Sequence, residues 1–181
     1  MAENSERYAR NFDTLTRSEQ DRLASAKVSV LGLGGLGGGV CEMLARTGVG
    51  HLTLIDGGVF EASNLNRQLL CTEALLGTSK AKAAQERIRA VNSLVQVTPV
   101  AAYADKTSLF DMITGSDLVV DCLDSIHGRF MLQDAAKKAQ IPVVAGAIAG
   151  VSGQVTVFFP EDKGYELIYG KREQLPAKGV E

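Results

Sequence analysis

The chain has 181 residues, 19 Lys and Arg against 21 Asp and Glu, and an apolar fraction of 45%, an ordinary composition for a globular domain in water. That length suffices for one domain with a sizeable core, and residues 1–181 are read as one. The net charge of -2 gives no electrostatic reason to expect nucleic acid or an anionic membrane surface as partner, and the most apolar stretch, Ile141–Val151, is too short to span a bilayer and contains Pro142 and Gly146.

Residues 1–25 read as a charged helical arm; Glu3, Glu6, Arg7 and Arg10 interrupt any apolar run, so this is not a signal peptide. Short β-branched runs follow at Val28–Leu31, Leu52–Ile55, Val95–Val97, Leu118–Val120 and Val143–Val144, with amphipathic stretches at 37–48, 79–92 and 125–139 between them. Strands alternating with helices imply parallel pairing through right-handed crossovers, and near-continuous apolar strands imply a sheet covered on both faces. After Pro142 the texture changes. Gln154–Phe159 alternates, Pro160 and Asp162-Lys163-Gly164 mark a turn, and Tyr165–Tyr169 is expected to return as its hairpin partner. The expected fold is therefore α/β, a Rossmann-like, doubly wound, mainly parallel sheet with an antiparallel C-terminal edge. The chain stops at Lys178–Glu181 without the closing helix such a sheet usually has, so the last part of the domain is expected to be missing.

Gly32-Leu33-Gly34-Gly35-Leu36-Gly37 lies between the first strand and the first helix. In that position GxGxxG lets the backbone turn tightly and lets phosphate approach a helix N-terminus; the bland alternative is a tight turn without a ligand. Asp56 ends the second strand 19 residues after Gly37, the spacing of an acidic residue that takes a ribose hydroxyl. These features indicate an adenine nucleotide and do not choose between NAD and ATP.

Three further features favour ATP. Asn64-Leu65-Asn66-Arg67-Gln68 places amides and a guanidinium near the mouth of the nucleotide crevice, and Arg binds phosphate oxygens in bidentate fashion; the alternative is a solvated loop. Lys80 and Lys82 fall in the first turn of a helix beginning near Ser79, where the dipole disfavours cations by roughly 0.3–1 kcal/mol each. A bound polyphosphate offsets that cost for Lys80, whereas Lys82 reads as facing water. Asp121-Cys122-Leu123-Asp124 closes the fourth strand. At such a strand tip Asp124 is aimed at the crevice and suits magnesium, with an N-cap role, shared with Ser125, as the alternative.

These motifs, in order with Arg7-Tyr8-Ala9-Arg10, Gly48-Val49-Gly50, Ser63–Gln68, Gly77-Thr78-Ser79-Lys80 and Gly153–Val157, resemble the ThiF/MoeB/HesA family, bacterial relatives of the ubiquitin-activating enzymes, over about residues 7–160. The resemblance implies Mg-ATP-dependent adenylation of the C-terminal glycine of a small ubiquitin-fold sulfur carrier ending in Gly-Gly, with release of pyrophosphate, in thiamine, molybdopterin or related biosynthesis. It implies a homodimer in which Arg10 reaches the phosphates of the neighbouring subunit. Asp56 would hold ribose, Asn64, Arg67 and Lys80 phosphates, and Asp124 magnesium. The rival readings are an NAD-dependent oxidoreductase, which Arg67, Lys80 and the lack of a catalytic dyad disfavour, and a non-catalytic nucleotide-binding scaffold.

The sequence departs from the family at several places. Gly58 stands where relatives often have a second acidic residue, and Ser125 where Asn is common. The first zinc-binding CxxC pair would fall near Tyr165–Ile168, where there is no cysteine. Cys41, Cys71 and Cys122 are far apart, so no zinc and no disulfide framework are expected, in keeping with a reducing cytoplasm. Cys41 and Cys122 read as core and Cys71 as exposed. The isolated His51 and His127 make no metal site, and Arg129 reads either as facing the crevice or as lying on the surface.

Overall fold

The computed structural model describes residues 6–172. Strands β1 (Lys27–Leu31), β2 (His51–Ile55), β3 (Gln96–Val100), β4 (Leu118–Asp121), β5 (Val143–Ala149) and β6 (Ser152–Phe158) form one sheet in the order β3-β2-β1-β4-β5-β6. The first five are mutually parallel and β6 runs antiparallel to β5. The chain leaves β1 on one side toward β2 and returns on the other as β4. That reversal opens a crevice at the carboxyl ends of β1 and β4.

Helices α1 (Arg17–Ser25), α2 (Gly37–Thr47), α3 (Lys80–Val91), α4 (Leu109–Ile113), α5 (Ile126–Ala139) and α6 (Glu166–Tyr169) complete the chain. Alternate strand residues divide between two cores. Val28, Val30, Leu52 and Leu54 pack with Cys41 and Ala45 of α2 and Ala81, Ala84 and Ile88 of α3. Leu31, Ile55, Val119 and Val143 pack on the other face with α4, α5 and Tyr165. The small residues of α2 and α3 let these helices lie close to the strands. Their ends follow local chemistry: Ser79 caps α3 by accepting from the Lys82 amide, and Gly48 closes α2 in the left-handed region at φ 93°.

The structure corrects four expectations. The antiparallel partner of β6 is β5, with which it pairs from Val143↔Phe158 to Ala149↔Ser152; Tyr165–Tyr169 forms no strand. Tyr165 is instead buried against Phe130 and Phe158, and a short helix follows it. The N-terminal arm is not one helix: Ala9–Asp13 is a 3-10 helix, α1 begins only at Arg17, and the arm packs on the domain. Tyr8 is buried, its hydroxyl accepts from Asn92 Nδ2 at 2.9 Å, and Gln20 Nε2 donates to the Thr47 carbonyl. Cys71 is buried rather than exposed, since it follows Leu70 into the core under the loop. Helix α4 was not expected, because five residues are too few for a helical period to show. The first five residues of the expected arm and the Lys178–Glu181 terminus lie outside the described residues. Among the described residues, no helix is long and apolar enough to cross a membrane.

One buried charge ties α2 to α3. Glu42 is 4% exposed and accepts from Arg87 Nε at 2.8 Å and Arg46 Nη2 at 2.7 Å. The Arg87 hydrogen bonds, working against burial and helped by Arg46, lower its carboxyl from 4.5 to about 2. A carboxylate depressed on folding stabilises the protein above its unfolded pKa and loses that contribution as pH falls through the folded value. Both arginines are half exposed and re-solvate when the carboxylate is lost, so Glu42→Gln should cost about 1–2 kcal/mol at pH 7. In urea melts the gap between Glu42→Gln and the unaltered protein should narrow from pH 4.5 toward pH 2. A gap independent of pH would show that the ionised carboxylate is not its source.

Candidate active site

The crevice at the strand tips has a volume of about 540 Å³. Residues following four strands build it: Gly32, Gly34 and Gly35 after β1, Asp56 and Gly57 after β2, Ala102–Ala104 after β3, and Cys122–Ser125 after β4. Arg67, Gln68 and Lys80 close the remaining side. Of the residues singled out by sequence, it thus brings together Gly32, Gly34, Gly35, Asp56, Arg67, Gln68, Lys80 and Asp124.

The glycine loop is tight for steric reasons. Gly32 has φ +81°, and a Cβ there would lie 2.6 Å from the Cys122 carbonyl oxygen; one on Gly37 would lie 1.8 Å from the Gly32 oxygen. Gly37 therefore packs helix against strand and does not line the crevice. At Gly34 and Gly35 an added Cβ would meet only ordinary contacts, Gln68 Nε2 at 3.5 Å and the Arg67 carbonyl oxygen at 3.6 Å. No side chain caps α2, and its Gly38 amide donates to the Gly34 carbonyl at 3.2 Å, which sets the helix start directly behind the glycine loop, a placement that suits an anion.

Asp56 joins two loops. Its Oδ2 accepts from the Leu33 amide and its Oδ1 from the Gly58 amide, both at 2.7 Å. The carboxylate pins the glycine loop to the turn after β2 and keeps unused lone pairs toward the crevice. Lys80 is half-buried at the start of α3, its amide bonded to the Gly58 carbonyl at 3.1 Å. A Cβ on Gly58 would lie 3.7 Å from Lys80 Nζ. An acidic residue there would meet that ammonium, and glycine leaves it free to face a ligand. Arg67 is exposed, and its Nη1 donates to the Ser63 carbonyl at 2.8 Å and to Asn66 Oδ1 at 3.1 Å, which holds the guanidinium on its own loop.

Asn64 is not brought in. It is 7% exposed, its Oδ1 accepts from the Glu61 amide at 3.1 Å, and it closes the turn that starts the loop. A phosphate contact from Asn64 would require breaking that turn. Gln68, equally buried, lines the crevice, and its Oε1 has no hydrogen-bond partner. A buried orphan acceptor is costly. Its place beside Gly34 fits a ligand that supplies a donor.

Asp124 is exposed on the crevice wall. Ser125, not Asp124, caps α5, accepting from the Gly128 amide at 3.0 Å, so the Asp124 carboxylate is not committed to the helix. Among the described residues no group of three or more His, Cys, Asp and Glu converges on one point. A lone carboxylate fits a magnesium ion that takes its other ligands from water and phosphate.

Beneath this wall lies a buried polar cluster that sequence reasoning missed. Asp121 accepts from the Leu123 amide at 2.8 Å and from the Tyr165 hydroxyl, and Arg129 donates to the Leu123 and Gly146 carbonyls. Arg129 Nη1 stands 3.8 Å from Asp121 Oδ2. Burial pushes the Asp121 carboxyl up, against Arg129 and the two donors, and pushes the Tyr165 phenol up as well. Arg129 is thus neither in the crevice nor on the surface: it holds Leu123, the residue before Asp124, from below. Cys122 packs against the core as expected and also borders the crevice, and burial lifts its thiol to about 12, as it does that of Cys41, so neither is poised as a thiolate nucleophile. Arg10 is exposed and is not among the residues lining the crevice of its own chain.

Residues 8–179 match the ThiF family. The SAMP-activating enzyme E1 of Haloferax volcanii is 39% identical over 91% of this chain and 62% of its own length. The molybdopterin-synthase adenylyltransferase of Escherichia coli is 38% identical over 79% of this chain and 57% of its own. Among solved structures, E. coli tRNA N6-threonylcarbamoyladenosine dehydratase, TcdA, in complex with ATP superposes with a TM-score of 0.77 at 31% identity, over 82% of this chain and 62% of that one. E. coli MccB with ATP gives a TM-score of 0.78 at 28% identity, over 86% of this chain and 49% of that one. The chain therefore spans roughly half to three-fifths of the length of these relatives. With nearly its whole length matched and the glycine loop, strand-tip aspartates and lysine helix in the expected order, the chain belongs to the ThiF family.

Proposed function

We propose that residues 1–181 form a single adenylation domain that activates the C-terminal glycine of a small ubiquitin-fold sulfur carrier ending in Gly-Gly, using ATP and magnesium and releasing pyrophosphate. The observation that carries the reading is the convergence of Lys80, Arg67 and Asp124 on an open glycine loop at the strand reversal. The ATP complexes of TcdA and MccB support the nucleotide, and the names of the two curated relatives support activation of a protein carrier.

Attack of a carboxylate on the α-phosphorus needs alignment and charge neutralisation more than covalent help from the protein. In this reading Lys80 and Arg67 balance phosphate charge, the α2 amides and Gly34–Gly35 seat it, and Asp56 takes the ribose. Asp124 would ligate magnesium, which supplies further charge neutralisation at the phosphates when bound. No general base is required, because a terminal carboxylate is already ionised at neutral pH. Asn64 contributes through the turn it closes.

ATP–pyrophosphate exchange, assayed with and without carriers ending in Gly-Gly, tests the reading. Exchange should depend on such a carrier, and its absence with every carrier, from a protein that binds ATP, would overturn the carrier assignment. ATP with magnesium should bind more tightly than NAD, and the opposite order in calorimetry would return the fold to the oxidoreductases. Asp124→Ala should lower exchange on the order of 10²-fold or more at an unchanged melting temperature, since Ser125 holds the cap. Full activity in that variant would remove Asp124 from the metal site.

Arg10 supplies the last element of the proposal. In a homodimer it would reach the neighbouring crevice, the arrangement of an arginine finger acting in trans. Arg10→Ala and Lys80→Ala proteins should each be inactive, and mixed heterodimers should recover one competent site of two. Heterodimers that form and stay inactive would show that Arg10 does not act across the interface.

A further inference from the structure

The crevice has two linings of different chemistry. Gly34, Gly35, Arg67, Lys80 and Asp124 give it polar lining, while Leu31, Ile55, Ala104, Leu109 and Met131 line it from one apolar cluster on the α4 and α5 side of the sheet, and Asp56 bridges the glycine loop and the turn after β2. Tyr103 projects from the rim on the apolar side, three residues past β3. Its side chain is conspicuous: the residue is 80% exposed, and among the described residues no aromatic ring or cation packs on it.

Tyr103 is nevertheless held in place. A Cβ on Gly57 would lie 2.5 Å from the Tyr103 amide nitrogen and 2.6 Å from its Cγ. The amide and the base of the ring of Tyr103 approach the residue that follows Asp56 so closely that a side chain there would collide with both. On its other side Asp105 accepts from the amides of Thr107 and Ser108, both at 2.8 Å, and from their hydroxyls. These bonds hold the Asp105 carboxyl well below the usual range. A broad aromatic face is therefore fixed in water, one residue from the carboxylate that would carry the ribose.

We propose that Tyr103 is the platform on which the purine base of the nucleotide stacks. The inference rests on the nucleotide reading above and deepens it. A ribose on Asp56 with its phosphates toward Gly34 and Lys80 leaves its base at the Gly57 side, over the apolar wall and under the Tyr103 ring. No side chain of that wall carries a donor or acceptor, so stacking and dispersion hold the base. Base–aromatic stacking is lost on truncation to alanine at a cost equivalent to roughly 5- to 150-fold in affinity.

The test is a comparison of two ligands by calorimetry: ATP, and ribose 5-triphosphate, which lacks only the base. Tyr103→Ala should weaken ATP by that factor and leave ribose 5-triphosphate unchanged, while Tyr103→Phe keeps both affinities. The sequence contains no tryptophan, so Tyr103→Trp adds a single reporter. Its fluorescence should be quenched by ATP and by AMP and not by ribose 5-triphosphate. Unchanged ATP affinity in Tyr103→Ala, or an equal loss for both ligands, overturns the platform while leaving the adenylation reading intact. An unaltered protein that binds no ATP overturns both.

Discussion

The carboxylate of Asp56 is the constraint on which the site depends. A β-strand ends with unpaired backbone groups, and at the tips of β1 and β2 these would point into the crevice without a fixed geometry. Asp56 takes the Leu33 amide with one oxygen and the Gly58 amide with the other. The glycine loop is thereby fixed to the neighbouring strand, and the Gly58 carbonyl, turned the other way, receives the Lys80 amide. One side chain thus orders the glycine loop, its own turn and, through that turn, the first residue of the lysine helix. Because each oxygen can accept more than one hydrogen bond, this bracing does not exhaust the group.

The same device recurs across the reversal point. Asp121 ends β4 and accepts from the amide two residues on, that of Leu123, as Asp56 accepts from Gly58. Two strand-terminal aspartates bend two chains away from the sheet in the same manner. Their second oxygens differ in use. Asp56 reaches sideways to the glycine loop, whereas Asp121 is buried under Tyr165 and Arg129. Arg129 adds the Leu123 and Gly146 carbonyls, so the β4 tip is tied to β5 and to the segment after β6. A buried ion pair of this kind is weak evidence for stability. Its geometry argues instead for fixing where Asp124 emerges.

The elements legible in the sequence were those whose pattern is local. Five strands announce themselves as short β-branched runs, and Ser79 and the glycine loop mark helix starts by their own chemistry. What escaped was set by partners distant in sequence. Tyr165–Tyr169 alternates like a strand, but Tyr165 is claimed by Phe130, Phe158 and Asp121, and burial of a large ring outweighs a weak period of two. Asn64 looked like a free amide because nothing in the local sequence shows that Glu61 would use it as a cap. Arg129 gave no sign of burial, since its acceptors lie on β4 and β5. The orphan oxygen of Gln68 was equally invisible: sequence places an amide in the loop but cannot show that it turns inward.

The site holds its cations in unequal ways, and that inequality bears on how it works. Lys80 stands against the α3 dipole, half-buried, with its backbone anchored and no acidic neighbour at position 58 to neutralise it. Such a charge is relieved most by an anion in the crevice, so under the proposed function Lys80 would favour a loaded state over an empty one. Arg67 is already satisfied by the Ser63 carbonyl and Asn66, and using it on a phosphate means giving up those bonds. In the proposed reading Lys80 would therefore be the contact set before a ligand arrives, and Arg67 the one that moves to meet it. A ligand too short to draw Arg67 off its loop would be held without the second cation. Under the proposed function this would separate binding from the charge balance that an attack on phosphorus requires.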